Sequence, residues 1–199
     1  FIIPAKGMDI PNIAALSFPL AVDRAMRRAL ATSDSFADFR AAVRTEIFAI
    51  CDKEIAKLHN LYIFPAPFLS LMMEGCLETG RDASLGLRYN NFGLHGTGLS
   101  TAVDSLEAIR RCVFEERSLS AADMIRLVDS NFASAPEWKY RLRHEMKKFG
   151  DGNEDVDTLA AGLLGDFADA LENRKNERGG VFRAGTGSAM FYLRHADAL

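Results

Sequence analysis

The chain has 199 residues, 48% of them hydrophobic, which suffices for a real core and places it among globular proteins. Its 24 basic and 27 acidic side chains give a net charge of −3 and are spread along the sequence, so the basic stripe that a nucleic-acid partner requires is missing. Three cysteines at wide spacing, Cys51, Cys76 and Cys112, exclude a paired disulfide framework and a CxxC zinc site, and point to a reducing cytoplasm.

Residues 11–30 carry Ile13, Leu16, Leu20, Ala21 and Met26 at near-helical period, with Arg24, Arg27 and Arg28 on the other face. This spacing predicts a first helix. Ser33, Asp34 and Ser35 offer N-cap oxygens to a second over 36–58, with Phe39, Val43, Ile47, Ile50 and Ile55 as its stripe. Pro65 and Pro67 interrupt the pattern, and also the apolar run 61–73, which is too short to span a membrane. No charged-then-apolar leader opens the sequence.

A third helix is expected over 68–79, a strand over 88–92, and a helix over 100–115 behind the glycines at 93, 96 and 98. Ser120 with Asp123 forms a capping-type start for a helix to about residue 131. Further helices are expected over 137–149 and 155–173, separated by the turn of Gly150, Asp151, Gly152 and Asn153. Segments 180–182 and 189–193 read as extended. The sum is six or seven helices and two to four short strands.

Several stretches invite chemistry. Gly93, Gly96 and Gly98 lie between a strand and a helix, where backbone N–H groups can hold an anion, but their order is GxxGxG and no Lys-Ser/Thr pair follows. A tight glycine turn explains them more simply. Cys76 in "EGCLETG" sits beside Leu71 and Met72 on an apolar helix side, the usual setting of an inert core thiol. His95, between glycines, suits a ligand contact or a plain loop role, whereas His59, His144 and His195 stand among charges. The glycines from 179 to 187 permit close backbone approach, and Arg183 among them is a weaker candidate for an anion contact. No HExxH motif, catalytic triad order or metal-ligand cluster is present.

Taken together, "PAPFLSLMMEGCLETGRDAS", "YNNFGLHGTGLSTAVDSLEAIRRCVFEE", "KFGDGNEDVDTLAAGLLGDFADAL" and "NERGGVFRAGTGS" resemble, in order and spacing, the large domain of the glycyl radical enzymes. That family includes pyruvate formate-lyase and relatives acting on diols, choline and aryl acids; the likeness spans roughly residues 11–193. It implies an α/β fold, the helix-rich portion of a ten-stranded barrel with few short strands, and makes residues 1–199 part of one pyruvate formate-lyase-like domain. It also implies a glycyl radical installed by a separate iron–sulfur activase that uses S-adenosylmethionine. A cysteine thiyl then takes a hydrogen atom from a small organic substrate, in an anaerobic lyase, dehydratase or formate acetyltransferase. The full-length protein would be a cytoplasmic homodimer.

Neither radical partner is expected within these residues. The family's catalytic Cys loop precedes a helix matching "NIAALSFPLAVDRAM", and none of the 15 glycines here precedes Phe, Tyr or Trp, as the radical-bearing glycine does in the family. "GCLE" at 75–78 mimics the Cys motif without occupying its place. The sequence therefore reads as an internal piece with no catalytic residue of its own. By resemblance, Tyr89, Asn90, Asn91, Phe92 and His95 lie near the substrate pocket, and Asp9 and Asn12 join them just after the Cys loop. The helices and "NERGG" lean toward the diol dehydratase and choline lyase branch. The competing readings are a stand-alone helical anion- or nucleotide-binding module and a degenerate scaffold.

Overall fold

A computed structural model describes residues 12–186. It is helix-rich, with three short strands in one parallel sheet of order β1-β2-β3: β1 is Asn12–Ser17, β2 Phe92–Thr97 and β3 Phe182–Thr186. β2 lies between the other two, with Ala15 and Gly185 opposite His95, and Leu16 and Thr186 opposite Gly96.

The helix predicted over 11–30 is in fact β1 followed by α1, Phe18–Ala29. Two local signals set the break. Ser17 Oγ accepts the Leu20 amide at 3.3 Å, and Pro19 occupies the first turn, where its missing N–H costs nothing. The run Ile13 to Leu16 is short and wholly apolar, a pattern that fits a buried strand as well as a helix, and parallel pairing with β2 decides it.

α2, Phe36–Ala56, starts as expected, with Ser35 Oγ accepting the Asp38 amide at 3.1 Å. It buries Phe39, Val43, Ile47, Ile50 and Cys51. The helix predicted over 68–79 is two single turns, α3 (Pro67–Ser70) and α4 (Cys76–Thr79). Gly75 separates them at φ +96°, and a Cβ there would fall 2.8 Å from both Arg88 N and Gly86 O, so only glycine lets the chain fold back here.

The strand expected over 88–92 begins instead at Phe92 and runs through the glycines to Thr97. Gly93 and Gly96 are thus strand residues, despite their low strand propensity. α5, Leu99–Ile109, passes into a π-helical turn, Arg110–Glu115. α6, Ala121–Asp129, carries the capping box of Ser120 and Asp123. α7, Pro136–His144, stops five residues short of the predicted end. α8, Glu154–Leu171, is capped by Asn153. The extended segment expected over 189–193 lies outside the described residues.

The helices pack on one face of the sheet. Phe18 of α1 and Phe167 of α8 meet edge to face, centroids 5.7 Å apart, directly over Gly96. Asp166 of α8, nearly buried, bridges to Arg40 at 2.9 Å and Arg44 at 2.6 Å on α2, tying the helices across the core edge. Residues 60–87 form a separate lobe with its own small cluster of Met73, Cys76 and Leu87.

Candidate functional site

Alternation along β2 sorts the predicted residues onto two faces. Phe92, Leu94 and Gly96 point at the helices. Phe92 meets Phe182 at 6.0 Å, and a Cβ on Gly96 would lie 2.5 Å from a Phe18 ring carbon and 3.2 Å from Phe167. Gly93, His95 and Thr97 point to the opposite face. All six residues are buried, as expected of a central parallel strand.

On that opposite face His95 is the large polar side chain, and its cross-strand neighbours are small. Ala15 lies on one side and Gly185 on the other, where a Cβ would come within 3.5 Å of imidazole Cδ2 and 3.6 Å of Nε2. Gly185 thus leaves the space over which the ring lies. Burial pushes the His95 pKa below its ordinary value, which favours the neutral imidazole over the cation. Thr97 Oγ1 on the same face donates to Leu16 O at 3.1 Å, which locks β1 to β2.

The neighbouring residues named from the sequence are engaged elsewhere. Asn91 is buried, and its Oδ1 accepts the Val181 amide at 3.1 Å. Asn90, at φ +49°, presents its carbonyl to Asn176 Nδ2 at 2.8 Å. A Cβ on Gly180 would fall 2.1 Å from that same carbonyl oxygen and 2.4 Å from Tyr89 O, so the "NERGG" turn is pressed against 89–90. Tyr89 is 42% exposed, beneath the Arg88 guanidinium. Phe92 belongs to the helix-side core, 5.3 Å under the Arg178 guanidinium. Asn12 opens β1 opposite Gly93. Asp9 lies outside the described residues.

The two motifs "YNNFG" and "NERGG" are therefore partners, joined by hydrogen bonds between residues 86 and 90 apart in sequence and clamped together in space. Glu177 accepts the Asn60 amide at 2.8 Å and that of Leu61 at 3.3 Å, while Arg178 donates to Leu61 O at 2.5 Å and to Ser84 O. This clamp was missed from the sequence, where Arg183 drew attention and Arg178 did not. The charge of Arg178 beside two glycines, in a segment whose apolar content is low, is the one signal that could have found it.

The thiols sit away from the His95 face. Cys51 and Cys112 are in the helix-side core, where burial pushes Cys51 up to about 12 and raises Cys112 as well; Cys76 is in the lobe. The glycines expected as a possible anion cradle have packing explanations: Gly96 faces two aromatic rings, and Gly98, at φ +71°, turns the chain into α5. Among the described residues no group of three or more His, Cys, Asp or Glu could hold a metal ion, and no helix is long and apolar enough to cross a membrane.

A family model described as pyruvate formate lyase-like matches residues 28–193. The chain is 32% identical to (2S)-3-sulfopropanediol dehydratase of Klebsiella oxytoca over 124 residues, 61% of this chain and 15% of that protein. It is 24% identical to trans-4-hydroxy-L-proline dehydratase of Clostridioides difficile over 189 residues, 88% of this chain and 24% of that protein. Among solved structures, the glycerol-bound B12-independent glycerol dehydratase from Clostridium butyricum superposes with a TM-score of 0.71 at 24% identity, over 86% of this chain and 24% of that one. A glycyl radical enzyme from Archaeoglobus fulgidus gives the same values. These structures share the fold of the chain, helices outside a parallel sheet. The chain spans a quarter or less of the length of these relatives.

Proposed function

The chain belongs to the pyruvate formate lyase-like family, and we propose that it forms part of the barrel wall of a glycyl radical dehydratase, within one domain that extends beyond these residues. One observation carries the reading. A parallel sheet is packed by helices on one face, and on the other it presents a buried imidazole between small residues. Such a wall suits hydrogen-atom transfer, since a thiyl radical takes a hydrogen atom from any weak C–H or S–H donor within reach, and a packed enclosure keeps side reactions away.

In this reading the whole protein is a lyase that removes water from a small hydroxylated molecule, in keeping with the dehydratases it resembles. The reactive thiol and the radical-bearing glycine belong to other parts of the polypeptide. The three thiols here are buried in packing, and no glycine here precedes an aromatic residue. The radical, when present, supplies the hydrogen-atom chemistry, and these residues supply enclosure and orientation. His95 offers a hydrogen bond to a substrate hydroxyl; Asp9 and Asn12 are assigned to the same pocket by the family resemblance alone, and Tyr89, Asn90, Asn91 and Phe92 shape the end of the strand behind His95. The protein works anaerobically in the cytoplasm, as a homodimer, with a separate S-adenosylmethionine-dependent iron–sulfur activase as partner.

Anaerobic activation of the full-length protein, read by electron paramagnetic resonance, tests this. The expected result is a glycyl radical doublet together with dehydration of a vicinal diol or hydroxylated amino acid. His95→Ala should keep the doublet and lower turnover by about tenfold or more, the loss of one substrate hydrogen bond. Saturable nucleotide binding with no radical under competent activation would instead favour the binding module.

A further inference from the structure

Among the described residues the sheet holds a single Lys, Arg, Asp or Glu, and it is Arg183 in β3. Register puts this residue on the face away from the helices. Arg183 stands opposite Gly93 just as Gly185 stands opposite His95, and residues two apart in a strand share a face. Arg183 and His95 are therefore diagonal neighbours, with Cα atoms about 8 Å apart by strand spacing and rise. The other two corners of that square are Gly93 and Gly185, so neither carries a side chain into the space between them. The imidazole already lies over Gly185, toward β3.

The guanidinium makes no hydrogen bond or ion pair among the described residues. Glu172 borders the same cleft at the outer edge of β3, yet forms no ion pair with it. By contrast Arg28, Arg40, Arg44, Arg110 and Arg141 each reach a carboxylate. Unpaired arginines such as Arg81 and Arg117 stand on exposed loops, where water solvates them. A guanidinium on a pocket wall is different, because an enclosed cation without a counter-charge is strongly disfavoured. Its planar fork matches the oxygens of an acid group with two parallel hydrogen bonds.

Resting on the reading of this sheet as the wall of a dehydratase pocket, we infer that Arg183 binds an acid group on the same substrate whose hydroxyl meets His95. The substrate class is then a small hydroxylated acid. A neutral polyol would leave the guanidinium enclosed and unpaired.

Equilibrium binding to the full-length protein, before any radical is installed, tests this apart from the chemistry. Isothermal titration compares glycerate with glycerol, and lactate with 1,2-propanediol, each pair differing in the acid group. At least one acid should bind about tenfold or more tightly than its neutral counterpart, and Arg183→Gln should abolish that preference. Arg183→Lys keeps the charge without the fork and should weaken acid binding severalfold, which carries the test if the glutamine variant does not fold. Equal affinities within both pairs, failure of both acids to bind at millimolar concentration, or a preference that survives Arg183→Gln would overturn the inference. A lowered melting temperature in Arg183→Gln with the acid preference intact would make Arg183 the partner of an internal carboxylate, and overturns it too. An acid preference in a protein that never forms its radical defeats only the proposed chemistry. Radical-dependent dehydration of a neutral diol with no acid preference defeats this inference alone.

Discussion

The sheet with its helices and the 60–87 lobe are held by different forces. In the first, side chains interlock: Leu16, Phe18, Phe39, Val43, Ile47, Leu94, Leu106, Leu163 and Phe167 are all essentially without solvent contact. In the second, three buried apolar residues form the only cluster, and polar staples carry the shape. Asp82 accepts from Ala66 N, Ser70 Oγ and Ser84 N, while Glu177 and Arg178 reach in from the other side of the clamp. Packing tolerates no change in volume; staples tolerate volume but not loss of charge.

The largest expected effect is therefore in the packed region. Phe167→Ala removes the ring that meets Phe18 over Gly96 and should cost about 4 kcal/mol, seen as a lower urea midpoint of the full-length protein. Gly96→Val is next, at about 3 kcal/mol, because its Cβ alone would lie 2.5 Å from a Phe18 ring carbon, before the two methyl groups find room. For the same reason, loss of ligand binding in Gly96→Val would say nothing about an anion site. If Gly96→Val were neutral, the account of why glycine stands in a central strand would be wrong.

Helices with caps and long stripes were legible in the sequence. α2 and α8 begin where Ser35 and Asn153 offer side-chain oxygens, and the Ser120 and Asp123 box opens α6. β1 was not legible as a strand, and β2 was placed too early, over 88–92 instead of Phe92–Thr97. Apolar residues in a short buried parallel strand have no period of their own, and the glycines of β2 imitate a turn until Phe18 and Phe167 are seen above them. The family resemblance, carried by joined motifs, reached the correct fold where periodicity stopped. Of the candidate site, His95 was found as a residue between glycines, but its orientation is set by strand pairing, which no local pattern reveals. Asn90 and Asn91 were noticed as polar; their partners lie about 90 residues away, so their role as clamp residues could not be read locally.

The clamp offers a test that separates the two regions directly. Arg178→Met keeps the stem but removes the donors to Leu61 O and Ser84 O, leaving the lobe less firmly held. A loss of about 1.5 kcal/mol in local stability makes Cys76 react roughly tenfold faster with an aromatic disulfide reagent at pH 8. Cys51 and Cys112, in the helix-side core, should react as slowly as in the unaltered protein. Equal acceleration of all three thiols would mean that the lobe and the core unfold as one unit, and the contrast between them would fail.

The smallest effect is one of pH, and it belongs to the lobe alone. Asp82 is drawn from 3.8 down to about 2, first by the Ser84 amide and then by Ser70 Oγ and the Ala66 amide, all of which favour the charged carboxylate. A depressed folded-state pKa means that the unfolded lobe takes up the proton more readily, so the contribution of Asp82 is complete above about pH 4 and fades as pH falls toward 2. Cys76 labelling with an acid-tolerant disulfide reagent should accelerate across that interval, ahead of any change at Cys51. Asp82→Asn should label faster at neutral pH and show a flatter acid dependence, because the amide keeps one acceptor oxygen but no titrating charge. If Asp82→Asn retained the full acid dependence, another carboxylate would be governing the lobe, with Glu177, also held below its ordinary range by the Asn60 amide, as the next to replace.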